Sequence, residues 1–267
     1  MKIGVRPHDL EFNTIEEMCD ICQQHHIDGL QLVLMRLYPD QIDDEMFIDN
    51  VITQIRNNGI DIHLLGSYFN MIHPDQKKLD LGYKIFDINT NIAKRNGIKY
   101  IGSETGSVNG DDWTYHPDNH TNSSFKKLQQ SIDIVTSNLD DQYYLLEPVY
   151  DHVAYNLEKT KDMMLNDRTA ITLDLANVLN INNYHDYLSI FESYLNTFGD
   201  RIKIFHFKNF IIMDNTKVLC ALDKGVLDYS LLYPLVKKYN LTDVPIIVEE
   251  LQGTELFESI KYIRTFE

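Results

Sequence analysis

Cysteine is scarce in this sequence: Cys19, Cys22 and Cys220 are the only three among 267 residues. So small and odd a number argues against a disulfide framework and fits a reducing compartment. Cys19 and Cys22 form a C-x-x-C, but there is no second such pair to complete a zinc site. Ile15, Met18, Cys19 and Cys22 recur at helical spacing in TIEEMCDICQQHH, which assigns the two thiols to the packed face of a helix. Long apolar runs are also missing. None approaches the roughly 20 residues of a membrane span, and the start MKIGVRPHDL has no signal-peptide core, so no membrane partner and a cytoplasmic location are expected. Basic runs never exceed two residues, and 24 Lys and Arg against 40 Asp and Glu leave a net charge of −16. That balance disfavours nucleic acid, whose binding depends on clustered positive charge. Small neutral or metal-assisted substrates fit better.

The remaining pattern is an alternation of short apolar runs with amphipathic stretches. Strands are expected at 2–6, 28–34, 60–65, 98–103, 143–148, 169–174, 202–208 and 245–250. Helices are expected at 14–26, 43–57, 77–96, 121–139, 152–165, 184–198, 228–239 and 254–264, with NNGI and RNGI closing two of them at Gly59 and Gly97. Strict alternation implies a parallel sheet with helical crossovers. An open doubly wound sheet would be the ordinary alternative. Eight repeats in 267 residues, with no Gly-rich fingerprint after the first strand, favour a closed (β/α)8 TIM barrel in the α/β class. No linker or composition shift divides the chain, so residues 1–267 are expected to form one domain.

In such a barrel the chemistry lies at the C-terminal ends of the strands. The fifth strand, YYLLEP, delivers Glu147; the sixth, TAITLD, Asp174; the seventh, IKIFHFK, His206; and the eighth, PIIVEE, Glu249 or Glu250. Any one carboxylate there could simply cap the next helix, and His206 between Phe205 and Phe207 could be a core residue. Four consecutive strands that each bring a metal-ligand type to one rim point instead to a shared divalent cation, which would offset the desolvation of each group. Adjacent strand residues face opposite ways, so one of the two glutamates faces the axis. Glu249 is the expected one, because it ends its apolar run at the depth of Glu147 and Asp174. Three carboxylates and an imidazole suit Mn2+ or Mg2+ and tolerate Zn2+ or Co2+.

The markers LLGSYFNMIHPD (64–75), YIGSETGSV (100–108), LLEPVYDHV (145–153), TLDLANVL (172–179), IFHFKNF (204–210), KGVLDYSLL (224–232) and IIVEEL (246–251) stand in an order that resembles the xylose isomerase-like TIM-barrel superfamily. The likeness is to its sugar phosphate isomerase/epimerase members and covers nearly the whole chain. It implies one divalent cation held by Glu147, Asp174, His206 and Glu249, and a proton moved between adjacent carbons of a carbohydrate through a metal-stabilised enediolate. Glu147 and Glu249 would then double as catalytic acid and base, while Asp174 and His206 would be ligands only. Around them His73, Glu104, His152 and Lys208 are expected to meet substrate or orient a ligand, with His152 near the start of a rim helix. Trp113 and Tyr115 lie in a long loop that could wall the site. Two positions depart from relatives: Asn209 stands where many carry Asp, and Asn177 stands where the tagatose epimerase group places a substrate-binding His. No Gly-rich loop follows the seventh strand to mark a phosphate site, the segment 224–230 is a candidate surface segment, and relatives often form dimers or tetramers, which leaves a homo-oligomer open. Two other activities share the barrel, an endonuclease IV-like phosphodiesterase with a histidine-rich trinuclear zinc site and a non-catalytic sugar-binding protein.

Overall fold

A computed structural model describes residues 1–267 throughout. Its strands are β1 (Ile3–Val5), β2 (Gly29–Leu32), β3 (Asp61–Gly66), β4 (Tyr100–Glu104), β5 (Tyr143–Glu147), β6 (Thr169–Asp174), β7 (Ile202–Phe207), β8 (Asn209–Met213), β9 (Thr216–Cys220) and β10 (Ile246–Val248). Eight of them close a barrel in the order β1-β10-β7-β6-β5-β4-β3-β2, and β8 with β9 form a separate antiparallel pair. The eight barrel strands coincide with the eight apolar runs of the sequence. The fold is a (β/α)8 barrel.

Two compact units make up the chain. The first comprises Met1–Leu32, Asn50–His63 and Leu173–Glu267. Within it β2, β1, β10 and β7 pair in parallel, with Gly4 opposite Gly29 and Ile247 opposite His206. Gly4 and Gly29 are required by close approach: a Cβ on Gly29 would stand 2.5 Å from Nε2 of His63, whose ring fills the space both glycines leave. The helix Ile15–Gln24, capped by Thr14, buries Met18, Cys19 and Cys22 on one face. Burial pushes the Cys22 thiol up to about 12, so the C-x-x-C is a packing element of this helix.

The second unit comprises Val33–Asp49 and Leu64–Thr172. β4 pairs with β5 along its length, setting Glu104 opposite Glu147, and β5 pairs with β6 from Tyr144–Thr169 onward. The long helix Gln76–Arg95 starts at Asp75, whose carboxylate accepts from the Lys77 amide, and Asn122–Ser137 starts at Thr121 in the same manner. Both are side-chain N-caps of the kind the sequence favours.

Three departures from expectation are local. The helix expected at 152–165 is confined to Leu157–Asp162, because Asn156 supplies the N-cap and the chain before it turns after Pro148. His152 therefore sits in a buried loop rather than at a helix start. Short helices Leu34–Leu37 and Leu175–Val178 follow β2 and β6. The β8–β9 hairpin turns at Asp214 and Asn215, both with positive φ, residue types that tolerate the left-handed region.

Candidate metal centre

β6 ends in Asp174, which is fully buried and carries two duties at once. Its Oδ1 accepts from the Asn177 amide at 3.0 Å, making it the N-cap of Leu175–Val178. Its Oδ2 lies 3.0 Å from the Lys208 ammonium. The helix-cap role and the cluster role, alternatives in the sequence, belong to different oxygens of one carboxylate.

His206 lies on β7 and Lys208 directly follows it, and both reach Glu249 Oε1, at 3.4 and 3.1 Å. His206 Nε2 lies 2.7 Å from Gln31 Oε1 on β2. An amide oxygen only accepts, so Nε2 carries the proton and Nδ1 faces Glu249 Oε1 at 3.4 Å. Gln31 is a wholly buried amide in the otherwise apolar run of β2. Its presence in DGLQLVL is the sequence signal for a partner to a buried polar group, one that a search of strand ends does not register.

Glu249, just beyond β10, is buried, whereas the side chain of Glu250 is 38% exposed and its backbone has φ 60°. Lys208 Nζ lies 3.1 Å from Glu249 Oε1, and Arg6 Nη1 lies 3.4 Å from Glu249 Oε2. Arg6 is itself held by Asp9 at 2.8 and 2.9 Å. Burial alone would raise the Glu249 carboxyl, but His206, Lys208 and Arg6 outweigh it and hold the group well below the usual carboxylate range. Arg6 directly follows β1, as Glu249 directly follows β10.

Glu147 ends β5 at 2% exposure, with the Tyr68 hydroxyl donating to its Oε2 at 3.4 Å. Beside it in register is Glu104, whose Oε2 lies 3.4 Å from Nδ1 of the buried His152. His152 Nε2 donates to the Trp113 carbonyl at 2.9 Å, and the indole packs edge-on at 5.6 Å between ring centroids. Trp113 takes φ 52°, an unusual left-handed position for a bulky residue. Desolvation lowers the His152 pKa, with the Trp113 hydrogen bond opposing it.

Ligand atoms of Glu147, Asp174, His206 and Glu249 all lie within 4.8 Å of one another, and all four residues are buried. Three hard oxygens with one imidazole nitrogen at that separation fit a divalent cation. Of the four outer residues, Lys208 touches the cluster and Glu104 pairs with His152. His73 borders a cleft of about 300 Å³ with Met71, Gln76, Tyr83, Lys127 and Ser131, contacts Asp111 through Nε2 and accepts from the Asp75 amide at Nδ1. The segment 224–230 spends its amides internally. Leu227 N–H donates to Asn209, Val226 N–H to the Phe210 carbonyl, and Ser230 N–H to Asp228. Asn209 also donates to the carbonyls of Leu222 and Leu227.

The sequence profile of a family described as xylose isomerase-like TIM barrel matches residues 8–266. Among curated proteins no sequence match is found. Solved structures share the fold across nearly the full chain. Endonuclease IV from Thermus thermophilus superposes with a TM-score of 0.72 at 11% identity, covering 100% of this chain and 98% of its own. The IolI protein with a bound zinc atom gives 0.71 at 18%, covering 99% and 96%. The 3-keto-D-glucoside 4-epimerase YcjR from E. coli gives 0.69 at 16%, covering 99% of each. No helix of the chain is long and apolar enough to cross a membrane.

Proposed function

We propose, from the premise that this chain belongs to the xylose isomerase-like TIM-barrel family, that residues 1–267 act as one domain with divalent-metal-dependent isomerase or epimerase activity on a small carbohydrate. The observation that carries this reading is the convergence of Glu147, Asp174, His206 and Glu249 within 4.8 Å. A cation held there, Mn2+ or Mg2+ before Zn2+ or Co2+, would act as a Lewis acid toward a carbonyl and its neighbouring hydroxyl.

The chain's own residues supply the rest. Asp174 and His206 hold the site, with His206 fixed by Gln31 so that Nδ1 faces inward. Glu249 is kept anionic by its cationic neighbours, the state a base requires. Glu249, as the anion, takes the proton beside the carbonyl on one face, and the proton delivered to the other face comes from the Glu147 carboxyl, so that one proton leaves and one enters per turnover and exchange with solvent restores both groups. Glu104 and His152 lie next to Glu147 in position to orient substrate hydroxyls, and Lys208 to meet a substrate oxygen. Such positioning is a major part of the rate enhancement available to an enolisation. Cytoplasmic residence and the absence of a nucleic-acid partner are part of the same proposal, supported by the acidic balance of −16.

A screen of ketoses and hydroxy acids for deuterium uptake from heavy water, with Mn2+ added, tests the reading. Uptake should occur with the native protein and vanish in Glu147→Gln and Glu249→Gln. Uptake retained in either variant removes that residue from the proton transfer. The likeness to endonuclease IV gives the second reading a specific ground, but the cluster here contains one histidine. Metal analysis separates them: one divalent ion per chain supports the isomerase, three zinc ions the nuclease, and none a binding protein.

A further inference from the structure

Lys208 is buried to 6% exposure, and its ammonium touches three carboxylates: Asp174 and Glu249, which belong to the cluster, and Glu250, which does not. The first two are the very groups a divalent cation needs. Glu250 is built for a different task. Its φ of 60° is a conformation glutamate rarely adopts, and its amide is tied to Asp9 Oδ2 at 3.3 Å, with Asp9 in turn gripped by Arg6. That turn brings a half-exposed carboxylate back onto the ammonium at 3.1 Å. Strained non-glycine residues of this kind persist where their surroundings hold them, often at functional sites.

We propose that Lys208 is an internal competitor for the divalent cation, and that Glu250 is the positioning residue that receives its ammonium when the cation binds. This rests on the metal reading given above. Like charges at such separations repel strongly in a buried site, so the ammonium leaves Asp174 and Glu249 as the cation arrives. Glu250, outside the ligand set and already in contact, keeps it at the edge of the site. Lys208 thereby sets metal affinity, and Glu250 reduces the penalty that Lys208 imposes.

Calorimetric titration of Mn2+ and Mg2+ into native protein, Lys208→Met, Glu250→Gln and the double variant tests this. Lys208→Met should bind Mn2+ about tenfold or more tightly than native, and Glu250→Gln about tenfold more weakly. In the Lys208→Met background the Glu250→Gln effect should shrink to within about threefold, which is the signature of coupling rather than of simple charge loss. General structural damage would weaken binding in Lys208→Met, the opposite direction. Unchanged or weaker binding in Lys208→Met, or an equal Glu250→Gln effect in both backgrounds, would overturn the proposal while leaving the metal reading intact. A readout on native protein covers the case in which Lys208→Met does not fold. Reductive methylation of Lys208, followed by mass spectrometry, should be several-fold faster with Mn2+ than without, and equal or slower labelling overturns the proposal. Native protein that binds neither ion sinks this inference together with the metal reading.

Discussion

Gln31 and Asp174 show how single residues carry more than one role at this site. Gln31 accepts the Nε2 proton of His206 and so selects which nitrogen faces the carboxylates. Replacing it by Leu should leave the barrel folded and lower Mn2+ affinity about 10- to 100-fold, the usual effect of removing the hydrogen-bond partner of a ligating histidine. Calorimetry reads this directly, and unchanged affinity would show that His206 is oriented by packing alone. Asp174 separates cleanly into its two oxygens. Asn at this position retains an oxygen for the Asn177 amide but loses the charge, whereas Ala loses both. Both variants should fail to bind metal, and Ala should be less stable than Asn by about 1 kcal/mol, the worth of an N-cap, in urea unfolding.

At the scale of elements, the glycines of β1 and β2 and the β8–β9 hairpin position what surrounds the site. A Cβ at Gly29 would fall within 2.5–2.7 Å of three atoms of the His63 ring, and that ring is enclosed by strands. Gly29→Ala should therefore cost about 1–3 kcal/mol as an overpacked core, seen as a lower urea midpoint at unchanged slope. The hairpin acts at a distance from its own strands. Lys217 on β9 donates to the carbonyls of Ala176 and Leu179, both at 2.8 Å, and so satisfies the end of the short helix that Asp174 begins. Lys217→Met should speed amide hydrogen exchange across residues 175–180 while leaving β7 protected. Equal exchange in both proteins would mean that the hairpin does not hold this turn.

At the scale of the whole molecule, acid and chelation probe different buried groups. His63 is 6% exposed, its Nε2 has no hydrogen-bond partner, and desolvation lowers its pKa despite the opposing pull of Asp61. A histidine depressed in the folded state binds more protons when unfolded. Its contribution is therefore complete above the unfolded pKa of about 6.5 and is lost as pH falls below that value. Glu249, also depressed, contributes in a lower window, lost below the unfolded carboxyl pKa of about 4.3. Stability should fall from about pH 7 to about pH 5.5, and His63→Leu should flatten that slope. A divalent ion that binds only the folded chain adds about 2.7 kcal/mol at a hundredfold excess over Kd. Removing it with EDTA should lower the Tm by several degrees, which differential scanning calorimetry measures.

Much of this molecule was legible in its sequence, for a local reason. Hydrophobic period and chain breaks are properties of neighbouring residues, and they placed all eight barrel strands and the strand-end residues Glu147, Asp174, His206 and Glu249. Contacts between distant segments were not legible, because periodicity does not say which side chains meet once the strands are joined. Gln31 and His206 are 175 residues apart and become partners only through the fold. The insertion of Lys208 among Asp174, Glu249 and Glu250, the left-handed turn at Glu250, and the placing of His73 in a cleft with Gln76 and Lys127 are likewise tertiary facts. Local chemistry determined which groups reach the strand ends; closure of the barrel decided their partners, since a buried charge takes whatever counter-charge the packing brings within reach.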